Sequence, residues 1–310
     1  MKFGNWLAIG MLAVGLLCSN GAQAQGKIVV GYTMAPDFAA FFIAKEEGYF
    51  AKRNLDVDLK FLTLTSNMPA ALVSGAVQIG GCTPPVFLQA VDGGLDLVGV
   101  AGGGVYDNTG GVVQIVSRAG TNIRSAKDLV GKKFGMPGLN GTLHVMVRKW
   151  LTDNGVDPKG VTFIEVPLPQ IPDVMKGGTI DAAITGEPFV GRMLATQGAS
   201  IVPGFSTDLT NGFSTVMYAT TRTWAAAHAA QLTAFRAALA EAIRFANSHR
   251  DQAYKDLGKY FKVPPSFLRA TPWPVLSADL SESQMSFWVD AMTKQQMLRK
   301  SPSLASLVVR

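Results

Sequence analysis

Catalysis and metal binding draw first on histidine, cysteine and paired carboxylates, and this sequence offers few of them in usable spacing. The three histidines stand at 144, 228 and 249, with no H-x-x-x-H or H-E-x-x-H pair that would hold zinc from one helix face. Two cysteines, Cys18 and Cys82, are too few for a disulfide framework or a cysteine-rich metal site. No G-x-S-x-G elbow is present for a hydrolase triad. Gly102-Gly103-Gly104 lacks the spacing of a dinucleotide fingerprint, and no Gly-Lys-Ser/Thr marks a phosphate loop. Asp37 and Glu187 are acids that nothing in the sequence pairs for general acid–base work. The residues favour binding over catalysis, with no metal and no cofactor expected.

Hydroxyls, amides and glycines collect instead in a few turns, and the elements that must position them read as an α/β protein. Lys27–Tyr32 reads as a strand, Asp37–Gly48 as a helix, and Leu55–Leu62 as a strand alternating with period two. Asn67–Ser74 reads as a helix and Val77–Gly80 as a buried strand. The same rhythm restarts at Lys132–Met136, followed by a helix with Asn140 as N-cap and Leu143, Val147, Trp150 and Leu151 on one face. Leu72–Gly80 and Val174–Ile184 are alike: a helix end, a glycine stop and a short strand, each followed by a polar turn and proline. The pattern predicts two similar lobes, each a mostly parallel sheet flanked by helices. After Phe213–Thr220 the chain turns helical, with Thr223 able to cap a helix whose Leu232, Phe235, Leu239 and Ile243 form one apolar stripe.

In parallel α/β sheets a ligand sits beyond the carboxyl ends of the strands, where helix N-termini present N–H groups. That rule selects Pro36, Asp37, Thr65, Ser66, Asn67, Cys82, Thr83 and Tyr106 in the first lobe. In the second it selects Asn140, Gly141, Thr142, Thr185, Glu187 and Phe189, with Phe213 on the apolar part of the pocket. Ser66, Asn67, Thr83, Asn140 and Thr142 are equally able to cap helices. Gly141 would let backbone approach a ligand or simply open a helix. No Lys or Arg lies inside these turns, so an anion would rest on N–H groups and hydroxyls, with Arg192 the nearest cation. Asp37, Asp107 and Glu187 point the other way, to a cationic or zwitterionic ligand. The sign of the ligand stays open here.

The chain has 310 residues, 48% hydrophobic and 16% charged, enough for about two domains and incompatible with disorder. Lys2, the apolar run Trp6–Leu17 and the exit Ala22-Gln23-Ala24 describe a secretory signal peptide over residues 1–24, cut after Ala24. The run is short for a membrane span. Cys18 raises the alternative of a lipoprotein, but Leu17 stands where such signals carry a small residue. The mature protein is expected to be periplasmic and monomeric, with Cys82 as its single cysteine, packed as a small hydrophobe or touching ligand. The net charge of +6 is scattered, with no basic run longer than two residues, which argues against nucleic acid as a partner.

Several segments together resemble a known family: Lys27–Tyr32, Ala44-Lys45-Glu46-Glu47-Gly48-Tyr49-Phe50, Leu72-Val73-Ser74-Gly75, Asp128–Lys133 and Asp181–Pro188. The chain resembles the substrate-binding proteins of ABC importers for nitrate, sulfonate and taurine, which are similar to the thiamine-pyrimidine-precursor group. Gln78 departs from an acidic residue common at its position. The resemblance implies a type II periplasmic binding protein fold, with lobe 1 over 27–116 and 217–310 and lobe 2 over 119–214. Hinge strands would fall near 116–118 and 215–217, and the C-terminal helices would pack on lobe 1. It further implies a small-molecule ligand, a sulfonate, nitrate or taurine-like anion, an aromatic carboxylate or a pyrimidine precursor, delivered to ABC permease subunits. Alternatives on the same fold are a pyrimidine-precursor enzyme, whose cysteine-rich segment is missing here, and a sensor presenting ligand to a membrane receptor.

Overall fold

Short β-branched runs bounded by glycine and polar turns form the strands. The computed structural model describes residues 27–107, 113–205, 211–261, 265–270 and 272–309. The expected signal peptide, Cys18 and the cut after Ala24 lie outside the described residues. In chain order the strands are β1 (Ile28–Tyr32), β2 (Val57–Phe61), β3 (Ile79–Cys82), β4 (Leu97–Gly102), β5 (Gly104–Val105) and β6 (Val113–Ser117). They continue as β7 (Lys133–Met136), β8 (Thr162–Glu165), β9 (Ala182–Gly186), β10 (Ser200–Val202), β11 (Met217–Thr221) and β12 (Val275–Leu276). The helices are α1 (Ala39–Glu46), α2 (Met68–Val73), α3 (Pro84–Asp92), α4 (Thr142–Asp153), α5 (Ile171–Lys176) and α6 (Phe189–Gln197). After them come α7 (Arg222–Ala227), α8 (Ala229–Ser248), α9 (Arg250–Gly258), α10 (Pro265–Ala270), α11 (Glu282–Lys294) and α12 (Leu304–Leu307).

The two five-stranded sheets share one plan. The first runs β2-β1-β3-β11-β4 and the second, read from its other edge, β8-β7-β9-β6-β10. In each, three strands pair in parallel and the fourth lies antiparallel to both its neighbours. That fourth strand arrives from the opposite half of the chain: β6 enters the second sheet, and β11 returns to the first. The expected two-lobe α/β architecture is what the structure shows.

One boundary differs. Residues 116–118 were the expected first hinge, yet Val113–Ser117 pairs along its whole length with Ala182–Gly186, and Ile115–Ser117 with Ser200–Val202. Residues 113–117 therefore belong with the second sheet, and the expected hinge at 116–118 begins inside a paired strand. Thr215 and Val216 lie at the second passage, directly before β11.

Lobe 1 buries α1 between its sheet and α8. Phe41, Phe42, Phe50 and Phe235 are all sealed there, and the rings of Phe50 and Phe235 stack at 5.4 Å. Each such burial is worth about 1.5–3 kcal/mol relative to exposure. Leu232, Phe235 and Leu239 are the buried stripe of α8, while Thr221, not Thr223, caps α7 by accepting from the Trp224 N–H. A second apolar core is shared between the halves: Phe87 and Leu88 of α3 join Val145 and Met146 of α4 and Trp288 and Met292 of α11. The Trp288 indole N–H donates to the Ser214 carbonyl at 2.7 Å, and Gln295 bonds both Arg148 and the Val145 carbonyl of α4.

Candidate functional site

A cleft with a cavity volume of about 150 Å³ opens where the two sheets meet. Its walls are the turns that follow β1, β2 and β3 on one side and β7, β8 and β9 on the other, together with Thr215 and Val216. The strand-end rule thus holds in both lobes. Of the predicted residues, Pro36, Asp37, Thr65, Thr83, Tyr106, Gly141, Thr142 and Glu187 line this cleft. Met34 and Thr63, in the same predicted turns, line it too; Thr33, Met146 and Leu168 also do and were not singled out from the sequence.

Asp37 is half-buried, and the Thr215 hydroxyl donates to its Oδ1. Burial pushes this carboxyl above its ordinary range, opposed by the Thr215 hydroxyl and by its own backbone N–H. No cationic side chain pairs with it among the described residues. Gly104 makes the arrangement possible, because a Cβ there would overlap Asp37 Oδ1 and Thr215 Oγ1. Gly103 packs as closely on Val216, and Gly102 on Ser277 and Asp279. The Gly102–Gly104 run, uninformative as a nucleotide motif, is a strip of close approach that seats the cleft floor.

Thr83 stands at the N-cap position of α3, where a hydroxyl ordinarily accepts a backbone N–H. It makes no such bond, and Thr83 Oγ1 is buried without a partner. The cause is local. Pro84 and Pro85 fill the first two helical positions and bring no N–H, which leaves the Val86 N–H as the single candidate donor in the first turn. On the facing lobe Glu187 accepts the Gly191 N–H at 3.1 Å through Oε2.

The loop before α4 is tied down by its own N–H groups. Leu139 N donates to Glu165 Oε1 at 3.0 Å, and Asn140 N to His144 Nδ1 at 2.8 Å. Asn140 adopts φ +60°, a left-handed turn that asparagine tolerates, so Gly141 rather than Asn140 is the N-cap of α4. His144 is buried, and its pKa is pushed down to about 4 by burial first and by the Arg148 charge second. The ring is therefore neutral, with Nδ1 free to accept. Ser66 reaches across from the first lobe to donate to the same Glu165 Oε1 at 2.9 Å.

The remaining predicted residues are set back from the cleft wall. Ser66 and Asn67 belong to the short turn before α2, with no side-chain cap at that helix. Cys82 is sealed in the shared core, and burial pushes its thiol up to about 12. Thr185 and Phe189 are buried in the second lobe and do not line the cleft. Phe213 is also buried, stacked between Tyr106 at 4.6 Å and Phe287 at 4.0 Å, so it backs Tyr106 rather than the cleft. Arg192 pairs with Asp173 at 3.0 Å and does not serve the cleft. Among the described residues lining it, the charged side chains are Asp37 and Glu187.

Comparison with known proteins places this geometry in a family. The family model described as NMT1/THI5 like matches residues 35–253, and the chain belongs to that family. It is 28% identical over 173 residues to a putative thiamine biosynthesis protein of Haemophilus influenzae, covering 55% of this chain and 53% of that one. It is 25% identical over 198 residues to the bicarbonate-binding protein CmpA of Synechococcus elongatus, covering 54% of this chain and 42% of that one. The chain thus spans about half the length of the curated relatives it matches. In fold it is similar to the alkanesulfonate-binding protein SsuA of Xanthomonas axonopodis pv. citri, with a TM-score of 0.77 at 19% identity, over 93% of this chain and all of that one.

Proposed function

We propose that this is an exported solute-binding protein that holds one small molecule between its lobes and hands it to the membrane subunits of an ABC importer. The observation that carries the reading is the cleft itself, walled by strand-end turns of both sheets and containing the buried, unpartnered Thr83 hydroxyl and the half-buried Asp37 carboxyl, which has no cationic partner among the described residues. Asp37, Thr65, Thr83 and Tyr106 would contact the solute from one lobe, and Gly141, Thr142 and Glu187 from the other. A ligand touching both lobes stabilises the closed state over the open one, and the importer reads the closed shape. Bending falls at the chain passages between the two sheets, one of them directly before Met217. The amino-terminal segment directs export, with the cut after Ala24, and the mature protein works as a periplasmic monomer. Binding rather than turnover fits the side chains: Cys82 carries a thiol too weakly acidic to supply thiolate at neutral pH, and it lies off the cleft.

The test is a thermal-shift screen of the purified protein against small polar solutes. A solute at about 100 times its Kd stabilises the fold by roughly 2.7 kcal/mol, which a melting curve resolves. Gly141→Leu should erase that shift while leaving the ligand-free melt nearly in place, since Gly141 sits at φ −81° and its Cβ would face Thr83 Oγ1 across the cleft at 3.4 Å. An unchanged ligand shift in Gly141→Leu would remove the α4 turn from the site.

A further inference from the structure

We infer that the solute presents a nitrogen donor (an ammonium, amidinium or amino group) to Asp37, in preference to a compact free anion. The inference rests on the solute-binding reading above and narrows it to a ligand class. Two features carry it: the cleft holds two carboxylates with no cationic side chain among its described lining residues, and its backbone donors are few.

The acceptors come first. Asp37 and Glu187 both line the cleft, and no Lys, Arg or His lines it among the described residues. Thr215 satisfies one oxygen of Asp37, and Gly191 one oxygen of Glu187. A carboxylate offers about four acceptor sites, so these bonds leave part of the capacity of both residues unspent. The overall charge of +6 does not reach the cleft, because Arg192 is held by Asp173 and Arg148 by Gln295. An unpaired carboxylate in a shielded position is costly, and a ligand cation is the group that offsets it.

The backbone donors are the second feature. An anion without a cationic side chain must rest on helix N-terminal N–H groups. Prolines thin out those groups around the cleft: Pro36 before α1, Pro69 in α2, and Pro84 and Pro85 in α3. At α4 the Leu139, Asn140 and Gly141 N–H groups before the helix are given to Glu165, His144 and the Gly138 carbonyl, which leaves the first-turn N–H groups of Thr142 and Leu143. An anion would therefore rest on one helix turn and a few threonine hydroxyls, beside two carboxylates.

The experiment is titration calorimetry with matched probes that differ in sign. Benzylamine, benzamidine and propylamine are set against benzoate, benzenesulfonate and propanoate, with nitrate and bicarbonate as inorganic anions. The expected result is binding by the nitrogen-bearing probes and none by their anionic partners at tenfold higher concentration. Asp37→Asn, close in shape, should weaken the amines roughly 30-fold or more, the loss typical of a desolvated charge pair. Should that variant fail to fold, the wild-type ranking decides alone. Anions binding as well as or better than amines would overturn the charge assignment and leave the solute-binding reading standing. Silence from every probe of both signs would overturn both.

Discussion

The turn after β3 and the turn after β9 hold the same place in their sheets, yet they bring opposite chemistry to the cleft. Each follows a helix, a glycine stop and a short buried strand, and each leads through proline into the next helix. At the first, Thr83 is left with an unpartnered hydroxyl, and Pro84 and Pro85 remove two of the three N–H groups of the turn it would cap. At the second, Glu187 secures itself by accepting from the Gly191 N–H. The shared backbone fixes where a side chain meets the ligand; the residue at that point decides what it offers. One lobe contributes a donor waiting for an acceptor or a water, the other an anchored carboxylate.

The walls also differ in how they respond to acid, and this gives the largest expected effect. The second lobe's loop hangs on neutral His144, whose folded pKa of about 4 lies below the ordinary 6.5. The folded state disfavours the proton, so the stability is complete above pH 6.5 and is lost progressively as pH falls from there to about 4. The loss should approach ~3 kcal/mol, from the 1.36 kcal/mol that each pKa unit represents. Denaturant melts across that range should show this slope, and His144→Gln should flatten it. In the first lobe the matching support is the Thr215 hydroxyl, which does not titrate there, so exchange of N–H groups should rise first in the turn around Asn140.

Next in size is Gly104→Ala, which drives a methyl into the Asp37–Thr215 contact. Overpacking of this kind costs about 1–3 kcal/mol, and calorimetry should show ligand affinity falling with it. A normal melt and normal affinity would mean the floor of the first lobe yields easily. The smaller pair of variants sharpens the two-turn comparison by sign. Thr83→Val removes an unsatisfied buried hydroxyl and should raise ligand-free stability by up to ~1 kcal/mol while weakening binding. Glu187→Ala frees the Gly191 N–H and should lower it by about 0.5–1 kcal/mol. Equal signs in the melts would show that the turns are not different in the way described. Ser66→Ala, which cuts the cross-lobe bond to Glu165, should have the least effect, a few-fold change in affinity at most, from a net hydrogen-bond contribution of about 1 kcal/mol or less.

Much of this was legible in the residues, for local reasons. Strand runs and helix stripes repeat with their own periods, and the strand-end rule needs only their order, which is why Asp37, Thr83 and Glu187 could be read as facing the cleft. The first hinge could not be placed the same way. Val113–Ser117 reads as a strand, but its sheet is set by pairing with β9 and β10, far along the chain. Asn140 reads as a cap because asparagine favours both caps and left-handed turns, and only the fold separates them. Phe189 and Phe213 follow polar turns as pocket aromatics would, yet core packing claims both. Gly102–Gly104 carried a usable signal that motif matching discards: three adjacent glycines at a strand end mark close packing even when they bind no phosphate. The prolines at Pro36, Pro69, Pro84 and Pro85 were equally visible, and each removes an N–H group from a turn near the cleft.

The central claim is that one solute bridges the two sets of turns, and hydrogen–deuterium exchange tests it most directly. The protein would be saturated with the nitrogen-bearing probe that stabilises it most and compared with the free protein. Protection should appear together in residues 33–37 and 83–87 of the first lobe and in 138–145 and 186–191 of the second. Protection confined to one lobe, or centred away from these turns, would contradict capture between the lobes.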